Sequence, residues 1–284
     1  MFSIQPHRAG GETAREIREP EESSMPARPF SSRRIRCAAL CALGSASLLP
    51  LAAQAGPASA IYSPIVEYRE WELELKGGMF DWGRGDNGER AAKLAVGYGV
   101  APRWGVEVEA EYSQVPGGVA HVEEYEFENI FQLTEHGEHW LDAGIFAELS
   151  HNRLEHSNEL TVGPMLQHES EHTQTNLNVY LTRRLSALPQ TGEEDEAGSR
   201  NEVQYQAQWK YNLSPRFQPG VQAFGTLGDP AHLHSDELKV GPALFGTLSL
   251  GNAKKIRYNA ALMGGLTRGT PDTTVRFQLE YEFF

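Results

Sequence analysis

The last eleven residues read Thr274-Val-Arg-Phe-Gln-Leu-Glu-Tyr-Glu-Phe-Phe284. Val275, Phe277, Leu279, Tyr281 and Phe283 share one face; Arg276, Gln278, Glu280 and Glu282 share the other. A period of two is the side-chain period of a β-strand. One face suits an apolar surrounding and the other suits water. The alternation ends on Phe283, with Phe284 one residue beyond it.

The same alternation recurs upstream, in runs of about ten residues separated by Gly, Pro, Asn and Asp clusters. Eleven further runs are legible: Tyr68–Phe80, Ala91–Val100, Trp104–Ser113, Val122–Leu133, His139–Leu149, Glu159–Gln167, Thr173–Leu185, Glu202–Tyr211, Gln218–Leu227, Leu238–Leu250 and Lys255–Leu266. No stretch reaches 18 consecutive apolar residues, so no transmembrane helix is expected. In hydrocarbon every backbone polar group must find its partner within the protein, which leaves a closed sheet. The expected fold is all-β: a closed antiparallel transmembrane β-barrel of about 12 strands, up-and-down, over residues 61–284. Short connections (Ala101–Arg103, Thr134–Glu138, Ser170–His172, Asn212–Arg216, Gly251–Lys254) alternate with longer polar ones. Trp104, Trp140, Tyr112, Trp209 and Tyr211 fit an interfacial aromatic girdle. The competing fold is a soluble sandwich or lipocalin-like barrel, in which the apolar face would be the core. Gly163-Pro164 and Gly241-Pro242 interrupt two runs and are expected to form matched bulges, with another near Asn129 and Ile130.

The front of the chain reads as an export signal. Arg28, Arg33, Arg34 and Arg36 precede a small, apolar run from Cys37 to Ala53, and cleavage is expected after Ala55 or Ala60. Residues 25–60 form this signal, and residues 1–24 a spurious or disordered extension upstream of Met25. Both cysteines, Cys37 and Cys41, lie in the part removed, so no disulfide or cysteine metal site is expected. The signal, the alternating runs and the aromatic C-terminal strand resemble Gram-negative outer-membrane β-barrel proteins. That resemblance implies an outer-membrane location with both termini periplasmic. It also implies contact with the barrel-assembly machinery through Phe277, Leu279, Tyr281, Phe283 and Phe284, and porin-like passage of small solutes.

Beyond residue 60 the chain carries 18 basic and 33 acidic residues, a formal net charge of −15. This excludes a nucleic-acid partner, which needs a basic footprint. The polar faces carry the pore candidates: Glu70, Glu72, Glu74, Glu107, Glu109, Glu111, Glu124, Glu126, Glu128, Asp142 and Glu148 in the first six runs, then Lys210, Lys239, Arg257 and Arg276. Closure would set Arg276 near Glu70–Glu74. An acidic wall facing a basic one suits a narrow channel for small solutes or cations. The alternatives are a non-conducting structural barrel, with the same charges paired into a plug, and an outer-membrane enzyme. His168-Glu-Ser-Glu-His172 matches a zinc-protease pattern only in letters, because it lies in a turn and the pattern needs a helix. The outward faces of the runs carry no histidine, so no lipase-like site, catalytic residue, metal or cofactor is expected.

Overall fold

A computed structural model of the chain describes residues 56–83, 88–186 and 201–284. The extension 1–24 and residues 25–55 of the expected signal lie outside these residues, while residues 56–60 of that signal are described. Twelve strands follow in chain order: β1 (Trp71–Asp81), β2 (Arg90–Ala101), β3 (Trp104–Gln114), β4 (His121–Gln132), β5 (Asp142–Asn152), β6 (Ser157–Glu169), β7 (Thr173–Ser186), β8 (Asn201–Tyr211), β9 (Gln218–Gly228), β10 (Glu237–Gly251), β11 (Lys254–Gly265) and β12 (Thr273–Phe283). Each pairs antiparallel with its sequence neighbours, and β12 returns to β1. That closing ladder runs without a shift from Trp71↔Phe283 to Asp81↔Thr273. The expected twelve-stranded up-and-down barrel is therefore present.

The apolar faces point away from the sheet. Leu73, Val108 and Phe277 are 45%, 57% and 44% exposed. Lys76, Glu109, Glu128, Gln222 and Arg276 are buried inside. A soluble barrel would show the reverse. A closed cylinder with a contiguous apolar exterior is matched to hydrocarbon. Aromatic pairs gather at the end where β1 begins and β12 ends: Trp71 with Tyr98, Trp104 with Phe131, and Tyr281 with Phe283. This is the end of the short connections 102–103, 170–172, 212–217 and 252–253, called the turn end below; the opposite end is the loop end.

The structure corrects four expectations. First, the connection between β4 and β5 runs over 133–141, longer than read, and 153–156 at the loop end is short, so connection length alternates only loosely. Second, neither Gly-Pro pair is a bulge. The register is the same on both sides of Gly163-Pro164 (Val162↔Leu181, Met165↔Asn178) and of Gly241-Pro242 (Val240↔Gly264, Ala243↔Ala261). Proline lacks the ladder donor, and each glycine lets the neighbouring strand press in: a Cβ on Gly163 would lie 1.9 Å from the Val179 carbonyl oxygen, and one on Gly241 2.0 Å from that of Leu262. Third, β4 is regular through Asn129, and the shift lies between Glu111 and Tyr112, opposite the start of β4. Asn129 stays on the outer face, where its Oδ1 accepts from Trp104 Nε1 at 3.2 Å, while Ile130 turns inward. Fourth, Arg276 pairs with Gly78 on β1; Glu280 and Glu282 stand opposite Glu74 and Glu72.

Replacing Val108, near the middle of β3, with Arg is expected to cost about 2–4 kcal/mol in a bilayer. Val108→Leu should be close to neutral. Urea unfolding in lipid vesicles reads both, and a Val108→Arg barrel as stable as the parent would mean that no hydrocarbon lies beyond this face.

Candidate functional site: the lumen

Residues 56–70 do not extend β1. Residues 56–66 lie inside the barrel, residues 67–69 are exposed, and Arg69, with φ 71°, reverses the chain at the turn end before β1 starts. Its N–H donates to the Gly99 carbonyl at 2.9 Å. From there the segment runs toward the loop end, where a Cβ on Gly56 would lie 3.9 Å from Glu111 Oε1. Wall side chains fasten it along the way. Val66 N–H donates to Gln132 Oε1 at 2.8 Å, Ser63 Oγ to Gln167 Oε1 at 2.9 Å, and Asn178 Nδ2 to the Tyr62 carbonyl at 3.1 Å. Ile61 packs with Phe224, Phe245 and Met263. Tyr62 packs with Phe146, Met165, Tyr180 and Ile130. The sequence reading missed this segment, although two signals were available. Six apolar residues (Ile130, Phe146, Met165, Phe224, Phe245, Met263) sit on faces otherwise polar, where no lipid waits for them. Glycines on the same faces make room: a Cβ on Gly78 would meet the Pro57 carbonyl oxygen at 2.3 Å, one on Gly99 that of Glu67 at 2.0 Å, and one on Gly144 the Pro64 Cβ at 2.9 Å.

Tyr62 is tied to a charge network built on β1 to β5. Three successive rungs place carboxylate against carboxylate: Glu107↔Glu128, Glu109↔Glu126 and Glu111↔Glu124. β5 adds Glu148 opposite Glu128. Like charges directly across a ladder repel. Two lysines answer this, paired with each other across β1 and β2. Lys76 Nζ lies 2.9 Å from Glu74, 3.4 Å from Glu107 and 2.6 Å from Glu109. Lys93 Nζ lies 2.8 Å from Glu109, 3.3 Å from Glu111 and 2.7 Å from Glu126. Lys76 Nζ also donates to Tyr62 Oη at 2.9 Å, and Tyr62 Oη donates to Glu128 Oε1 at 2.7 Å. Alternation assigns a residue to a face, but not to its neighbours around the barrel, so neither lysine was selected from sequence.

The other candidates divide by level. At the turn end, Lys255 bridges Glu70 at 3.4 Å and also pairs with Glu282. Arg257 Nε meets Glu282 Oε1 at 2.8 Å, and Gln278 donates to Glu74. Asp142 accepts from His136 Nδ1 at 2.8 Å and from the Gly137 N–H at 3.1 Å, so it fastens a turn. Glu72 and Lys210 line the cavity there. On the far wall three of the candidate cations lie over aromatic rings. Lys239 Nζ lies 4.5 Å from the Phe80 ring centre and Lys210 Nζ 5.8 Å from that of Phe245. Arg276 lies 5.0 Å from the Phe224 ring and donates to Gln222 Oε1 at 2.6 Å. The expected acidic half thus carries its own ammonium groups, while Lys210, Lys239 and Arg276 of the basic half lie over rings and Arg257 pairs with Glu282.

His168 and His172 flank a turn between β6 and β7; His168 Nδ1 bonds the Trp140 carbonyl. β5 runs past its expected end and brings His151 onto the outer face, where its Nδ1 is 2.9 Å from Asn158 Oδ1. The strand neighbour of His151 on the other side is Tyr125.

Among the described residues, two cavities lie in the lumen. One, about 430 Å³, opens toward the turn end and is lined by Glu70, Glu72, Glu74, Glu107, Glu128 and Arg257 among others. The second, about 230 Å³, lies toward the loop end and is lined by Glu89, Lys93, Glu124, Glu126, Glu148 and Tyr180 among others. Tyr62 lines both. No protein-family model and no curated protein matches the sequence. Solved structures do match. The NanC porin is similar with a TM-score of 0.50 at 10% identity, over 75% of this chain and 99% of that one. An outer-membrane channel from Pseudomonas putida F1 is similar with a TM-score of 0.50 at 13% identity, over 81% and 99%. The fold is that of an outer-membrane porin barrel. The KdgM porin follows with a TM-score of 0.48 at 9% identity, over 75% and 98%.

Lys76→Met removes the ammonium shared by three carboxylates. It is expected to destabilise the barrel by about 3–5 kcal/mol, the usual consequence of leaving buried charge unpaired. Adding Glu109→Gln should restore part of that loss, which a double-mutant cycle in urea measures.

Proposed function

We propose that the protein is an outer-membrane channel for small cations, held closed in this conformation by its own segment 56–70. The observation that carries this reading is the pair of carboxylate-lined cavities in one lumen, separated at Tyr62 by a segment that belongs to no strand. The wall needs no rearrangement for the two cavities to join; only the segment has to move. Carboxylates around both cavities would raise the local concentration of cations and repel anions. In this reading the turn end faces the periplasm. Phe284 lies there, the C-terminal strand meets the assembly machinery, and the chain before Trp71 re-enters the barrel. If export cleavage follows Ala55, the new N-terminus lies within the lumen.

A disulfide tests the gate. The Val66 methyls lie 3.6 and 3.7 Å from where a Cβ would stand on Gly105, so Val66→Cys with Gly105→Cys can join the segment to the wall. Oxidised protein is expected to give no current steps in planar bilayers. Reduction should give openings with cation preference, and deleting residues 57–66 should give larger, steadier steps. No current in the reduced or deleted forms would favour a non-conducting structural barrel. Anion preference would defeat the acidic-wall argument alone.

A further inference from the structure

We infer that the mature chain begins at Gly56, and that the α-ammonium released there docks on Glu111 at the loop end of the lumen. The sequence allows cleavage after Ala55 or after Ala60, because each ends a small-x-small pattern of the kind an export peptidase reads. The structure separates the two bonds. A signal is discarded, so its residues have no reason to fit the wall of the finished barrel. Residues 56–60 do fit it. Ala58 is 1% exposed and Ala60 3%. The Ser59 N–H donates to the Gly56 carbonyl at 3.2 Å, closing a turn inside the barrel. Gly78 on β1 is bare where the Pro57 carbonyl passes, and a Cβ there would stand 2.3 Å from that oxygen. Cleavage after Ala60 would discard all of these contacts. It would also leave the new charge on Ile61, which packs with Phe224, Phe245 and Met263. Arg276 already stands over that Phe224 ring, at 5.0 Å. An ammonium there would face apolar groups and a like charge, with no water to solvate it.

Cleavage after Ala55 places the charge where it is met. Hydrolysis adds water across the Ala55–Gly56 peptide bond, leaving a carboxylate on Ala55 and an α-amine on Gly56 that takes up a proton near neutral pH. A Cβ on Gly56 would lie 3.9 Å from Glu111 Oε1. Lys93 Nζ is on the other oxygen of that carboxylate, Oε2, at 3.3 Å. Gly56 shares the loop-end cavity with Glu89, Glu111, Glu123 and Glu124. Glu89, just before β2, lies within electrostatic reach of Glu111 and Glu123, and of Lys239 across the lumen. The cations on the same cavity are already divided. Lys93 serves Glu109, Glu111 and Glu126, and Arg184 serves Glu155 and Glu159. The cation that the segment itself delivers therefore meets carboxylates next to β2, on β3 and on β4. It fastens the free end of a segment whose other end is tied through the Arg69 N–H to Gly99. Neither cleavage nor docking depends on conduction, since a sealed barrel would be processed and fastened in the same way.

The full chain, expressed with its export signal and purified from outer membranes, is sequenced from its N-terminus and weighed intact. A start at Gly56, reading Gly-Pro-Ala-Ser-Ala, is expected. A start at Ile61, or a chain that keeps its signal, overturns the inference. Ala55→Leu should abolish the Gly56 start, and Ala60→Leu should leave it unchanged. Reductive methylation with ¹³C-formaldehyde then labels the α-amine, whose NMR signal is distinct from those of the lysines. In the folded barrel it should titrate at least about one pH unit above its value in the urea-unfolded chain, because facing carboxylates favour the charged form. Glu111→Gln should bring it back by about half of that rise or more. Glu135→Gln, at the exposed turn, should not move it. The folded-barrel band on unheated gels confirms that each variant is intact; if Glu111→Gln does not fold, Glu123→Gln replaces it. Equal titration in the folded and unfolded parent, or a titration that the carboxylate variant leaves unmoved, overturns the docking.

Discussion

A strand in hydrocarbon has no water to complete its backbone hydrogen bonds, so it needs a neighbour on each side. The ladder between β1 and β12, in register from Trp71↔Phe283 to Asp81↔Thr273, supplies the last pair and closes the sheet. Everything else follows from that closure. Side chains then have only two destinations. Leu73, Val108 and Phe277 go outward, and the Glu, Gln, Asn, Lys and Arg of the other face must share a lumen with little water.

Crowding that many carboxylates into one sector sets the next constraint. Three like-charge rungs between β3 and β4 cannot be offset by cations on the far wall, because attraction falls with distance and the lumen is wide. Lys76 and Lys93 do it from within the sector, each touching three carboxylates. Neither lysine is in ion-pair contact with Glu128 or Glu148. Tyr62 supplies one hydroxyl to Glu128, which couples the inner segment directly to the acidic wall. The tyrosine is therefore both a packing residue, stacked on Phe146 at 5.0 Å, and an electrostatic one.

The barrel itself was legible in the sequence, because alternation reports the face of each residue and that is what lipid selects. β12 was readable almost residue by residue. The strand count followed from turn residues. The interior was less legible for a physical reason: position on a face says nothing about which side chains meet around the circumference. Arg276 lands beside Gln222 on β9, four strands from β1 when counted through β12, and no period or spacing hints at that contact. The segment 56–70 was invisible to a search for periods, since it has none; wall side chains bond its backbone at Val66 and Tyr62, and wall backbone does so at Arg69 and Glu70. The Gly-Pro pairs misled because a missing donor and a bulge leave the same trace in sequence, and only the unchanged register separates them.

What could have exposed the inner segment is the wall and not the segment. A water-filled lumen has no use for inward glycines, since any small polar side chain would be accommodated there. Gly78, Gly99, Gly105 and Gly144 fall on four strands of one sector, and three of them lie so close to the segment that a Cβ would meet its backbone or the Pro64 ring at 2.9 Å or less. Inward Phe224, Phe245 and Met263 complete the match from the other side by covering Ile61. The lumen surface is thus shaped to its contents. At those three glycines the wall and the segment are packed so closely that no side chain fits between them. The left-handed backbone at Arg69 sets the reversal at the mouth that brings residues 56–66 into this wall.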